Sequence, residues 1–291
     1  MKNNLIIRML ESYDCRQDQD YVNALREIMQ NVALLALSRT DFFNHAAFYG
    51  GTALRILYGL NRGSEDMDFS LLEVDNTFYL GDYSTAIEAE FSSFGMQASF
   101  KPKQKAGHTN IQSGFLKANT QIQLLSIGLD KDLSGRFYIG DEIRIKVEVD
   151  VLPPPGGSTE IKYVFQPIPF AIRSCTLPTL LAGKLHAVLF RGWKSRVKGR
   201  DWYDLAWYAG HHPEYDIRHL ESRSRQSGDY SDNQELTNER VHALLKAKLD
   251  TIDFDEMKKD VRPFLRNPND IECWSKEFFY EVFARLIAKE F

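Results

Sequence analysis

Between Asp18 and Ser38, Tyr21, Leu25, Ile28, Met29, Val32 and Leu35 recur at three- and four-residue steps, so they share one face of a helix. The run Ala46–Tyr49 is short, apolar and stopped by Gly50-Gly51, which predicts a buried strand followed by a turn. Thr52 is then placed to cap a helix over 53–58 that carries Leu54 and Leu57. A glycine-bounded break at 59–63 precedes a second strand over 67–72. Further on, 84–94 reads as helix, and 96–100 and 121–127 read as strands. The clearest alternation is at 142–151: Ile143, Ile145, Val147, Val149 and Val151 are apolar, with Glu142, Arg144, Lys146, Glu148 and Asp150 between them. Proline and glycine at 153–157 end it.

Beyond Pro178 the pattern turns helical, over 179–190, 201–209, Asn238–Leu249 and 275–291, with a polar loop expected at 221–238. Strands in the middle with helices around them, then helices alone, predict an α+β fold: a mixed sheet with flanking helices plus a helical C-terminal part. The expected boundaries are an N-terminal helical segment 1–45, a core 46–170 and a helical domain 171–291.

Composition narrows the class. With 43% hydrophobic and 26% charged residues in 291, the chain is neither disordered nor fibrous. No apolar run approaches the ~18–20 residues of a membrane span. The first eight residues are broken by charge too early for a signal peptide, and Cys15, Cys175 and Cys273 lack metal-ligand spacing. A cytoplasmic protein without a membrane partner is expected. The net charge of −4 conceals a division: residues 161–200 hold eight Lys/Arg and no acid, leaving −12 elsewhere. Fields act locally, so that block is a candidate anion site.

Asp66 and Asp68 are two residues apart, hence on one face of the second strand. Adjacent carboxylates repel unless a cation lies between them, and oxygen-only ligands of this kind suit Mg²⁺ with phosphate oxygens. Gly50 and Gly51 let backbone N–H groups approach a phosphate at a helix start.

Gly50-Gly51-Thr52-Ala53-Leu54, with Arg62, Ser64-Glu65-Asp66, Asp68 and Phe69, resembles the signature of the AbiEii/AbiGii toxins. These are nucleotidyltransferases of the polymerase-β-like superfamily and form the toxin half of type IV toxin–antitoxin systems. A second block, Lys184-Leu-His-Ala, Arg191 and Lys198-Gly-Arg200-Asp201-Trp-Tyr-Asp204-Leu205, is similar to the later motifs of that family. The resemblance implies a nucleotidyltransferase sheet and two Mg²⁺ ions held by three carboxylates. Asp66 and Asp68 match the first two, and the third is Asp150 or Glu148, with Asp150 slightly favoured for its place at the strand end. It further implies Lys184 at the triphosphate of an NTP, with Asp204 orienting a basic group. Gly50, Gly51, Thr52, Ser64, Arg62 and Arg200 are then candidates for nucleotide contacts. Arg62 has the alternative of pairing with Glu65, and His186 reads as structural. The basic residues Arg191, Lys194, Arg196 and Lys198 around Trp193 suit a nucleic-acid backbone with one stacked base.

The expected activity is metal-dependent transfer of a nucleoside monophosphate from an NTP to an acceptor, with RNA (a tRNA 3′ end) favoured. The cognate antitoxin is the expected protein partner. The alternatives are transfer to a small molecule or protein, or a nucleotide-binding module without catalysis.

Overall fold

A seven-stranded mixed sheet organises the N-terminal half of the chain. The computed structural model describes residues 5–103, 109–126, 135, 137, 140–191, 197–231 and 233–291. They form two units, Met1–Tyr58 with Gly63–Pro153 and Ile161–Ser174, and Gly59–Arg62 with Pro154–Glu160 and Cys175–Phe291.

In the first unit, α1 (Leu5–Glu11), α2 (Asp18–Ser38) and α3 (Phe42–His45) lead into β1 (Ala46–Tyr49), α4 (Gly50–Tyr58) and β2 (Met67–Leu71). There follow α5 (Ser84–Ser93), β3 (Ser99–Pro102), β4 (Ile111–Asn119), α6 (Thr120–Ser126) and β5 (Glu142–Asp150), then β6 (Thr159–Val164) and β7 (Phe170–Cys175). The strand order is β3-β4-β5-β2-β1-β7-β6. β2 runs antiparallel to β1 and parallel to β5. Apolar positions of β2 and β5 (Met67, Phe69, Val147, Val149) join one core with Leu25, Ile28 and Val32 of α2. Phe42, Phe48 and Phe69 meet there edge-on or tilted, with ring centroids 4.9–5.1 Å apart. Each fully buried ring contributes about 1.5–3 kcal/mol over exposure.

Some expectations change. The strand expected over 121–127 is α6: Asn119 Oδ1 accepts the N–H of Ile122 at 2.9 Å, a cap that starts a helix where the alternation Ile122, Leu124 suggests a strand. The strand lies just before it, at β4, where Gly114, Lys117 and Asn119 interrupt the apolar pattern. The expected boundaries also shift. The helices of residues 1–45 share the core of the sheet, and 59–62 and 154–160 belong to the second unit.

The second unit is built on α7 (Leu177–Phe190), with Pro178 in its first turn, and α8 (Gly199–His211). Around them are β8 (Glu214–Asp216), α9 (Ile217–Gln226), α10 (Asn238–Leu249), α11 (Phe254–Val261), α12 (Lys276–Arg285) and β9 (Ile287–Lys289). β8 and β9 pair in parallel, so the helix expected over 275–291 ends early in a strand. Part of the loop expected at 221–238 is α9, capped by Asp216, whose side chain accepts the N–H of His219 at 2.9 Å. Trp202 of α8 lies edge-on against Phe279 of α12 with centroids 5.2 Å apart, which fixes that helix pair.

Candidate functional site

The first unit carries the carboxylates. The register of β2 with β1 and β5 sets Asp68 opposite both Tyr49 and Glu148, and Ser70 opposite Asp150. Because Met67, Phe69, Val147 and Val149 enter the core, Asp68, Glu148 and Asp150 all stand on the opposite face of the sheet. Glu148 is therefore the lateral neighbour of Asp68, and Asp150 lies one step further along. Glu148 Oε1 is 2.7 Å from Lys146 Nζ, and Asp150 Oδ1 accepts the Leu152 N–H at 3.1 Å.

Gly50 closes against this group. Its φ of +83° lies in the left-handed region, and a Cβ there would stand 2.5 Å from Asp68 Oδ2. Only glycine lets the carboxylate take up that space. Two residues on, the buried Thr52 side chain ties the first turn of α4 to the loop before β2. Its Oγ1 lies 2.8 Å from Ser64 Oγ and donates to the carbonyl oxygen of Asp66. From α2, Gln30 Nε2 donates to the carbonyl of Ser64 at 3.1 Å. The loop that presents Asp66 is thus held from two helices, and Thr52 and Ser64 are partners in that bracing.

α2 also supplies Arg26, one helical turn before Gln30. Burial holds its pKa below the ordinary value, against the opposing pull of Glu65 and Asp66. Arg26 and Gln30 are absent from the sequence-based site. Their signal was polar side chains four residues apart beside the apolar face of the helix.

Among the described residues, no three His, Cys, Asp or Glu side chains group as a metal site. The donor chemistry still fits Mg²⁺ together with a nucleotide. Mg²⁺ takes one or two carboxylates and completes its shell with substrate phosphate and water, and Asp66 and Asp68 supply such a pair.

The second unit carries a buried ion network. Arg62 grips Asp204 with both arms of its fork, Nε to Oδ1 and Nη2 to Oδ2, each at 2.7 Å. Lys184 Nζ of α7 lies 2.8 Å from Asp204 Oδ2 and donates to Asp201 Oδ1 at 2.7 Å. Arg191 Nη1 reaches the other oxygen of Asp201 at 3.5 Å. The Asp204 side chain is 0% exposed and that of Arg62 is 4%. Burial opposes the charge of Lys184 and of Arg62, but Asp201 and Asp204 raise the pKa of both. Burial likewise works against ionised Asp201, and Lys184, then Arg191, hold its pKa below the usual carboxylate range.

Arg62 therefore pairs with Asp204. Arg200 lies over the Phe264 ring, 4.1 Å from its centroid, and 3.9 Å from Asp260. His186 Nε2 is 3.0 Å from Ser227 Oγ and 3.2 Å from Asp229 Oδ2. Gly192, Trp193, Lys194 and Arg196 lie outside the described residues.

The Helicobacter pylori protein JHP933 has a similar fold, with a TM-score of 0.51 and 19% identity over 93% of this chain and 91% of that one. A candidate nucleotidyltransferase from H. pylori gives 0.48 and 18%, over 93% and 94%. No curated protein matches the sequence. The family model described as "Nucleotidyl transferase AbiEii toxin, Type IV TA system" matches residues 32–282, which takes in both motif blocks. The chain belongs to the AbiEii family of nucleotidyltransferase toxins of type IV toxin–antitoxin systems.

Proposed function

We propose that this nucleotidyltransferase uses Mg²⁺ to move a nucleoside monophosphate from an NTP to RNA, with a tRNA 3′ end as acceptor. The family implies an NTP substrate and an antitoxin partner. In the transfer, the acceptor hydroxyl oxygen forms a bond to the α-phosphorus, the bond from that phosphorus to the β-phosphate bridge breaks, and pyrophosphate leaves. The observation that carries the metal reading is the register that sets Asp68 beside Glu148, with Gly50 giving the Asp68 carboxylate its room.

Asp66 and Asp68 hold the metal, and Glu148, adjacent in register, takes precedence over Asp150 as the third carboxylate. When bound, Mg²⁺ neutralises triphosphate charge and lowers the pKa of the attacking hydroxyl. One carboxylate accepts that hydroxyl's proton. Backbone N–H groups at Gly50 and Gly51, with the Ser64 hydroxyl, face phosphate oxygens at the start of α4. Lys184 supplies the cation for the triphosphate. Asp204 orients it, and Arg62 acts through Asp204. Arg200 adds to the basic character of residues 161–200, whose eight cations and absence of acids suit a polyanionic acceptor. The reaction is placed in the cytoplasm, where NTP and RNA are found.

The test is incubation with Mg²⁺, total RNA and each α-labelled NTP in turn. Label on RNA is expected with at least one NTP, and it disappears with chelator and with Asp66→Ala or Asp68→Ala. Label only on a small molecule or protein overturns the RNA acceptor. No label with any NTP overturns the whole reading.

A further inference from the structure

Arg26 of α2 differs from other half-buried arginines of the first unit. Arg55 sets its Nε 2.8 Å from Glu27 Oε2, and Arg173 donates from Nε to the Phe43 carbonyl at 3.1 Å. Arg26 has one hydrogen-bond partner among the described residues: its Nη1 donates to Asn23 Oδ1 at 2.9 Å. Its Nε is shut off from solvent and meets no acceptor there. A guanidinium carries five N–H donors in a planar fork, so most of this one is open. The next acid along the helix, Glu27, is already taken by Arg55 and by the Tyr13 hydroxyl at 3.0 Å.

The helix face gives the open fork its direction. Gln30, one turn on and on the same face, holds the Ser64 carbonyl at 3.1 Å. Cβ atoms four residues apart on a helix are about 5–6 Å from each other, so the long Arg26 side chain reaches the loop that Gln30 touches. Thr52 joins that loop to the start of α4 through Ser64 Oγ and the Asp66 carbonyl. The acids whose charge acts on Arg26 are Glu65 and Asp66. Neither closes into an ion pair with it. A cation steadied by Asn23 beside the loop that presents Asp66, with its fork open, suits a ligand bearing several anionic oxygens. Phosphate matches the fork in shape. It also brings charge, which a half-buried cation favours over the neutral edge of a base.

We propose that Arg26 is a further nucleotide-binding residue, whose fork takes oxygens of the NTP triphosphate from the side of α2. This rests on the NTP reading above and adds a contact from the N-terminal helix, outside both motif blocks.

The experiment titrates the full chain, with Mg²⁺ present, with the α,β-methylene analogue of each NTP in turn by isothermal titration calorimetry. Transfer to total RNA is followed in parallel. Arg26→Ala should weaken binding of the analogue that the wild type takes by about tenfold or more, the loss of one charge-assisted contact. The KM for NTP should rise by a similar factor, with kcat falling less. The urea midpoint by far-UV circular dichroism should stay in place, because no carboxylate is bonded to the group removed. Arg26→Lys keeps the charge and loses the fork, and should recover part of the affinity. Wild-type affinity and KM in Arg26→Ala, with or without a lower midpoint, make Arg26 a charge partner of Glu65 and Asp66 alone. That overturns the assignment and spares the NTP reading. A wild type that binds no analogue and labels no RNA overturns the NTP reading, and the role of Arg26 with it. If the alanine variant does not fold, Arg26→Gln is judged by the same outcomes.

Discussion

The carboxylates of the first unit and the ion network of the second hold charge in opposite ways. Asp68 and Glu148 are partly exposed on a sheet face and are positioned by backbone register, by Gly50 and by the bracing of the 64–66 loop. Glu148 has Lys146 beside it at 2.7 Å, and a bound cation would add to that offset. Arg62, Lys184, Asp201 and Asp204 are buried and satisfy one another at 2.7–2.8 Å. An unbalanced cluster costs little fold stability where water reaches it. A buried one is tolerable only when every member is present. Substitutions in the first region should therefore act on chemistry alone, and those in the second on the fold as well as on the triphosphate contact proposed for Lys184. All four tryptophans (Trp193, Trp202, Trp207 and Trp274) fall within Cys175–Phe291, so tryptophan fluorescence reports the second unit.

The largest effect on stability is expected from Asp204→Ala. It strands the Arg62 fork and half of the Lys184 contacts in a buried place, a loss of about 3–5 kcal/mol. Urea titration followed by tryptophan fluorescence should show the midpoint fall accordingly. A midpoint within error of the wild type would mean that water reaches the network, and the contrast between the regions would collapse.

Next is Gly50→Ala. A left-handed φ costs a non-glycine residue about 1–2 kcal/mol, and the new methyl must displace the Asp68 carboxylate, 2.5 Å away. Here stability and turnover should fall together. Full activity in the variant would show that the placement of Asp68 against Gly50 is dispensable.

A smaller, pH-dependent effect belongs to the second unit. Burial, then Arg223, push the His186 pKa down to about 4 from its ordinary 6.5. Between those values the unfolded chain binds the proton and the folded chain does not, so stability rises with pH across that window and is lost on acidification. His186→Gln should flatten that part of the tryptophan-monitored stability curve between pH 6.5 and 4. Asp201 adds a second acid loss at lower pH. Its depressed pKa stabilises the fold above the unfolded carboxylate value, and that contribution disappears as pH falls through the folded one.

The two regions also differed in how far they could be read from sequence. Period-two spacing is local, so the alternation at Glu142–Asp150 followed from residue order alone, as did the helix Asn238–Leu249. Glu148 and Asp150 have the same parity, and no local rule separates them. The register with β2, set by pairing across about eighty residues of chain, puts Glu148 beside Asp68. The Arg62–Asp204 fork joins positions 142 apart, and nothing near Arg62 in sequence announces it. Glu65 was the nearer acid and therefore the natural guess. At α6 the misleading signal was local: Ile122 and Leu124 alternate as in a strand, and the single Asn119 cap decides for helix.

The smallest expected effect on stability, and the sharpest test of the contrast, is Asp68→Asn. The amide keeps the shape that fits against Gly50 and removes one charge from a like-charged group. The unfolding free energy from urea titration, followed by far-UV circular dichroism so that both units are read, should shift by no more than about 0.5 kcal/mol. Nucleotidyl transfer should nevertheless fall about a hundredfold or more, because charge placed where the transition state develops it is worth most in rate. Measured side by side with Asp204→Ala, this variant separates the two designs. If Asp68→Asn destabilised the protein as strongly as Asp204→Ala, the sheet-face carboxylates would be part of the structural charge balance too, and their exposure on an open face would not be the property that fits them for catalysis.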